Sequence, residues 1–340
     1  MNIYIYTPNF DDKFLIEYAE SIIFSKKLKD IGTFEVKIPN LHNQQLDAIT
    51  TGYYIRPSYD DSDFFIIKEI EYTYSNTDGN YIYLRGEELK AQFKQRIIVG
   101  QKNLSSNILN NCRELTNYIN TYYPFESEIY VEEYNDSILY QFQFDFENLY
   151  NALKTMTDTA DMFFDVYLNE NTSNFNMYLF KYILKTDTIF SIEFNNMLSF
   201  TEKIDSYDSC DIAIVVGEGS GTSKRYQIVG STSTSNTSVY NKVDATDISS
   251  NSGVITETEY NNFLINQGMA YIKDNQLTTT YELNVDTKLY KYKKDFFIGA
   301  LVTVINPISN LELYGLVTEV TEKWDIDGYG CDIKLEIVNI

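Results

Sequence analysis

Asp325, Asp327, Gly330 and Glu336 in "DIDGYGCDIKLE" stand at positions 1, 3, 6 and 12 of the loop with which EF-hands hold calcium. That chemistry also needs an oxygen donor at position 5 and a helix on either side. Position 5 is Tyr329 and both flanks alternate as strands do, so a hairpin turn at Asp327-Gly328 accounts for the same residues. "GEGSG", residues 217–221, follows the apolar run "DIAIVV" as a phosphate-binding loop would. It lacks the glycine spacing of either nucleotide motif, and the strand-like "SKRYQIVG" follows where a helix N-terminus is required. "DDSD", residues 60–63, reads as a solvated loop. His42 is the single histidine, which excludes a histidine-rich zinc site. A Ser-His-Asp triad would have to use it, at a strand end beside Pro39 and Asn40. Glu126, Glu128, Glu132, Glu133 and Asp136 offer the paired carboxylates of a glycosidase, yet among 49 acidic residues such pairs arise without function. Cys112, Cys210 and Cys331 lie far apart with no CxxC, which excludes a zinc ribbon and implies reduced thiols and assembly in a cytoplasm. These residues assign no catalytic group, no cofactor-binding group, no metal ligand and no cofactor, and the protein is expected not to be an enzyme.

Lys26, Lys27 and Lys29 in "SKKLKDIGTFEVKIPN" form a local basic cluster in a chain whose formal net charge is -22. Affinity for nucleic acid rests on neutralising phosphates, so an acidic chain repels it at long range. The expectation is an exposed turn whose lysines keep a strand edge soluble.

The elements that would position these residues are mostly strands. Tyr at 30 and Phe at 21 against one Trp suit a pleated, half-buried surface, and the hydrophobic share of 44% is enough to bury real cores. A length of 340 residues implies two or three domains. "TFEVKIP" puts Phe34, Val36 and Ile38 on one face, with Ile31-Gly32 before it and Pro39 closing it. "FFIIKEIEYTYS" and "NYIYLRGE" flank a turn at 76–79 and read as a long hairpin. Texture changes at 103. Ile108, Cys112, Leu115 and Ile119, then Leu149, Leu153, Met156 and Ala160, fall at helical spacing, and a hairpin follows about the turn Glu170-Asn171-Thr172-Ser173. Beyond 190 the pattern is β again, with a helix opened by a Thr256/Glu259 capping box. The organisation predicted is a β-barrel over 1–102, an α+β insert over 103–189 and a second β-barrel over 190–340, the last with a helix near 256–275 and a polar loop over 231–253. No secretory signal opens the chain, and no apolar run approaches the roughly 18 residues of a membrane span.

Two segments repeat. "TGYYIRP" leads to Lys68-Glu69-Ile70, an Asp78-Gly79 turn and a closing strand; "IGALVTVINP" leads to Thr318-Glu319-Val320, Asp327-Gly328 and a closing strand. The two turns differ in offset by one residue. If the repeat is structural, the chain holds two similar units, and three chains in a ring would present six.

Several stretches together resemble the hub or tail-associated proteins at the tip of siphophage tails and related phage-like particles. They are "SIIFSKKLKDIGTFEVKIP", "IIKEIEYTYSNTDGNYIYLRGEELKAQFKQRII", "DFENLYNALKTMTDTADMFFDVYLNENTSNFNMYLFK", "FNNMLSFTEKIDSYDSCDIAIVVGEGSGTSKRYQIV", and "KKDFFIGALVTVIN" followed by "VTEVTEKWD". The resemblance covers nearly the whole chain in the expected order. It implies a mainly β protein with an α+β insert and two related β-barrel domains of the baseplate-hub type. It also implies a homotrimer that joins the tail tube or distal tail protein to other baseplate or tip proteins. Such a protein would sit in the virion after assembly in the host cytoplasm, without specific nucleic-acid binding even where DNA passes through the ring. Many such proteins add a C-terminal peptidoglycan hydrolase or receptor-binding region. The sequence reaches Ile340 just past its last expected strand, so such roles are expected of a partner. The alternative reading is a cell-wall carbohydrate-binding or peptidoglycan-hydrolysing tail protein whose tyrosine-rich strands stack on sugars.

Overall fold

The computed structural model describes residues 2–39, 48–59, 63–75, 79–122, 129–134, 137–169, 174–231 and 237–338. In the first unit the strands are β1 (Ile3–Tyr6), β2 (Lys13–Ile16), β3 (Ser21–Lys27), β4 (Thr33–Pro39), β5 (Tyr54–Pro57), β6 (Phe65–Ser75) and β7 (Gly79–Glu88). Their inward residues, among them Ile3, Ile22, Phe24, Val36, Ile55, Phe65, Ile67 and Leu84, share one core, so the sheet curls round on itself. The alternation in β4 is what selects the face: Phe34, Val36 and Ile38 are buried while Thr33, Glu35 and Lys37 are not.

An α+β body follows. It is built from β8 (Gln101–Ser106), β9 (Ile129–Val131), β10 (Tyr140–Asp145), β11 (Phe163–Asn169) and β12 (Asn174–Phe180), with helices α1 (Ile108–Tyr122) and α2 (Leu149–Thr159). Ile108, Cys112, Leu115 and Ile119 of α1 and Leu149, Leu153 and Met156 of α2 are fully buried in its core, as their spacing predicts. Leu89, Ala91 and Phe93 belong to the same core, which also takes in Tyr6, Ile31, Tyr54, Phe64 and Ile66 of the first unit and so is not confined to residues beyond 103.

The second unit comprises β13 (Ile183–Phe190), β14 (Met197–Asp205), β18 (Thr278–Val285), β19 (Ala300–Ile305), β20 (Glu312–Asp325) and β21 (Gly328–Ile337). Strand 183–190, expected in the insert, instead pairs in parallel with β19 and buries Phe190 in the second unit's core. Its partner lies more than a hundred residues onward, so local pattern could not place it. A small body interrupts the hairpin of β14 and β18. It contains β15 (Ile212–Val216), β16 (Tyr226–Gly230) and β17 (Tyr240–Asp244), covered by α3 (Glu257–Asp274). The helix expected near 256–275 is α3, and it closes this separate core through Tyr260, Phe263 and Leu264. Part of the expected polar loop, residues 240–244, is a strand parallel to β15. The Thr256 hydroxyl accepts from the Glu259 N–H, and the Glu259 carboxylate accepts from the Thr256 N–H at 3.0 Å. Thr256→Ala should cost about 1 kcal/mol, read as an earlier urea transition for amide exchange in α3.

The repeat is structural. The units run in the same strand order, β3-β4-β7-β6-β5-β1 and β14-β18-β21-β20-β19-β13. Each long hairpin carries a bulge at the matching place, between Ile67 and Glu69 in the first and between Val317 and Glu319 in the second. Register then aligns Arg85 with Lys334, Glu35 with Glu282 and Glu69 with Glu319. The same cross-strand charge group occurs twice: Arg85 bonds Glu35 and Glu69 at 2.5 Å, and Lys334 lies 3.7 Å from Glu282 and 3.2 Å from Glu319. The one-residue offset falls between the hairpin strands, from Ser75 to Gly79 in the first unit and from Asp325 to Gly328 in the second. Gly79 and Gly328 both take positive φ there, +89° and +117°, a region open to glycine. One pairing differs: β1 runs antiparallel to β5, whereas β13 runs parallel to β19.

Candidate functional site

The two units are joined edge to edge within the chain. β20 is long enough to pair with β19 through 312–316 and with β3 through 319–324, so both units lie in one sheet of 13 strands. Trp324 of β20 reaches the first core, its ring 6.4 Å from Phe24 and 5.7 Å from Tyr59.

Beneath this joint lies a buried ionic cluster drawn from all three large bodies. Lys26 of β3 donates to Asp63 at 2.8 Å and to Asp165 of β11 at 3.1 Å. Lys293, from the connection between β18 and β19, also donates to Asp63. Lys90 donates to the Lys27 carbonyl at 2.5 Å and lies 3.4 Å from Glu88, whose carboxylate accepts from the Gly32 N–H at 2.5 Å. Glu322 of β20 accepts from Tyr59 at 2.5 Å and from Tyr329 at 2.9 Å. Lys29 closes the rim by donating to Glu336 at 2.5 Å.

Burial sets the electrostatics. It opposes the Lys26 ammonium, but Asp165 and Asp63 outweigh it and hold Lys26 well above its ordinary value. Burial likewise opposes the Asp165 carboxylate, and the charges of Lys26 and Lys90 still hold it low. For Asp63, Glu88 and Glu322 burial prevails and the carboxyls are raised. Burial and the Lys26 charge pull Lys293 down. Each of these groups is held by protein partners, an arrangement suited to locking three bodies together.

The lysine cluster is thus not an exposed turn. Lys26 does sit beside a hairpin turn, but the edge it was expected to protect is covered by β20. Alternation within 21–39 could not reveal a strand that arrives some 300 residues later. The EF-hand-like residues do not converge. Asp325 accepts from the Asp327 N–H at 2.8 Å within the hairpin turn, while Glu336 is taken by Lys29. The glycine-rich loop 217–221 joins β15 to β16, and its place is filled by Tyr260, which accepts from the Glu218 N–H at 2.8 Å beneath the Arg225 guanidinium. Glu132 accepts from Tyr167 at 2.5 Å and Glu133 from Arg113 at 2.7 Å. His42, Glu126, Glu128, Asp136 and residues 60–62 of the acidic tetrad lie outside the described residues. Cys112, Cys210 and Cys331 are buried free thiols. Among the described residues no group of three His, Cys, Asp or Glu side chains is placed to hold a metal ion, and no helix is long and apolar enough to cross a membrane.

The whole architecture recurs in solved proteins. The chain superposes on a tail protein of Neisseria meningitidis MC58 with a TM-score of 0.61 at 11% identity, covering 98% of this chain and 96% of that one. The 43 kDa tail protein of prophage MuSo2 from Shewanella oneidensis gives 0.62 at 11% identity, with 98% of each chain covered. Prophage tail protein gp18 of Listeria monocytogenes EGD-e gives 0.58 at 12% identity, covering 99% and 94%. No curated protein sequence matches the chain. At these identities the likeness is one of fold, that of phage tail proteins. The sequence itself matches a family model over residues 2–337, essentially the full length that folds into the two units and their insert, and the chain belongs to the Siphovirus ReqiPepy6 Gp37-like protein family.

Proposed function

We propose that the chain is a structural, non-enzymatic hub of a phage or phage-like tail tip or baseplate, three copies of which form a pseudo-sixfold ring between the tail tube and the distal tip. The observation that carries this reading is the repeat. Two units with one strand order, one bulge position and one charge group stand side by side in a single sheet. A chain that presents two like units supplies six from three copies, which suits a threefold protein seated on a sixfold tube. We read 1–88, 183–205 and 278–338 as the ring-forming parts, with 89–182 and 206–277 as outgrowths available to neighbouring tip proteins. The net charge of -22 suits a conduit through which DNA slides without sticking. Residence in the virion and contacts with tube and tip proteins follow from the same reading.

The expected result is a trimer mass by light scattering of the purified protein at high concentration, with rings in negative stain and no activity on peptidoglycan. A monomer at all concentrations, or carboxylate-dependent peptidoglycan cleavage, would sink the proposal.

A further inference from the structure

Each unit owns two kinds of strand edge. One is the outer edge of its first hairpin, β3 in the first unit and β14 in the second. The other is the far half of its long strand, β6 or β20 beyond the bulge. Inside the chain, an edge of the first kind (β3) is joined to an edge of the second kind (β20), with Lys27–Ile22 antiparallel to Glu319–Trp324. That leaves the complementary pair. Among the described residues, β14 pairs only with β18, and Glu69–Thr73 of β6 pairs only with β7.

Carrying the internal joint onto the second pair fixes a register without free choice. The bulges align Glu69 with Glu319. The ladders β4–β7 and β18–β21 align Val36 with Leu283, and the hairpin ladders then align Ile22 with Phe200 and Ile23 with Thr201. We propose that β14 of one copy adds antiparallel to β6 of the next, with Asp205–Thr201 against Glu69–Thr73, reproducing between copies the β3–β20 joint found within the chain. This rests on the ring reading above and specifies its interface. The contact is head-to-tail, so it propagates from copy to copy until the ring closes.

Side-chain chemistry agrees with the register. Ile204 falls opposite Ile70, Lys203 opposite Glu71 and Thr201 opposite Thr73. Ile204 is 67% exposed in the single chain and Tyr72 is 45% exposed, whereas Val320 and Glu322, which match Ile70 and Tyr72 at the internal joint, are 1% and 7% exposed. A strand edge carrying such groups is a liability until something covers it. The one like-charged pair, Glu69 with Asp205, already has its cations at hand in Arg85 and Lys203.

The test is disulfide trapping with Thr73→Cys and Thr201→Cys in one chain. Directly opposed residues of an antiparallel pair lie within disulfide reach, whereas residues displaced by two are about 7–8 Å apart. The expected outcome on mild oxidation is a reducible ladder of covalent dimers and trimers, absent from either single variant and from the parent protein, whose own thiols are buried. Glu71→Cys with Lys203→Cys should give the same ladder, and Thr73→Cys with Ser199→Cys should give far less. A trimer by light scattering that yields no ladder from either registered pair, or that traps the displaced pair faster, overturns this pairing while leaving the ring intact. A monomer overturns both.

Discussion

Replacing Lys26 with methionine should lower the unfolding free energy by about 3–5 kcal/mol, because it leaves Asp165 buried without its bonded ammonium and Asp63 with Lys293, rather than removing a surface charge. Lys26 lies between Asp63 and Asp165, whose side chains are 11% and 10% exposed. The loss should shrink when Asp165→Asn is added, since Asp63 keeps Lys293 and no acid is then left without a cation. The pH dependence has a defined sign. Lys26 is held above its ordinary value, so its contribution is complete below about pH 10.4 and is lost only as pH rises through the higher folded value. Asp165 is held below its ordinary value, so its contribution is present above about pH 4 and is lost as pH falls through the lower folded value. In the Lys26→Met protein Asp165 loses its bonded ammonium and Asp63 is left with Lys293, so both carboxyls titrate upward and the deficit should narrow between pH 7 and 5. Urea melts of the two proteins across that range measure this directly. A deficit below about 1 kcal/mol at pH 7 would mean that the cluster is as solvated as a surface pair.

Gly86→Ala should be comparably damaging, for a steric reason. A Cβ at Gly86 would lie 1.9 Å from the Ile66 carbonyl oxygen and 2.7 Å from the Phe34 ring. Neither neighbour can yield, because one is backbone next to the bulge and the other is a core ring. The long hairpin would have to part just where the bulge sets its twist, at a cost of about 3 kcal/mol, the upper end of what overpacking exacts. Gly330→Ala is the matched control. Its Cβ meets nothing within 4 Å, and a change within about 0.5 kcal/mol is expected. Urea midpoints of the two variants compare them; equal effects would remove the steric account.

The same position explains why the repeat is faint in the sequence. Register places Leu335 where the first unit has Gly86, and the room is made instead by Gly315, whose Cβ would lie 2.9 Å from a Leu335 methyl. A glycine leaves room beside the bulge in each unit, but on β7 in the first and on β20 in the second, so residue identities do not match across the repeat. What could be read was local: the alternation of 33–39, the bulge-bearing hairpins, the spacing of Ile108 to Ile119 and the box at Thr256. What could not be read was set by distant partners. Strand 183–190 is placed by 300–305, the separate core of 210–272 by contacts among its own elements, and the burial of Lys26 by Asp63, Asp165 and β20. Three lysines in a row of text look like a surface, because nothing nearby records the acids that enclose the first of them.

The body at 206–277 occupies the place held in the first unit by the short connection 28–32, and the insert at 89–182 lies between the units. The strand framework therefore occurs twice per polypeptide and each outgrowth once. A ligand that grips the framework would bind with a stoichiometry of two per chain, and one that grips an outgrowth with a stoichiometry of one. Assemblies counted in sixes and in threes can meet on such a molecule without either surrendering its own symmetry.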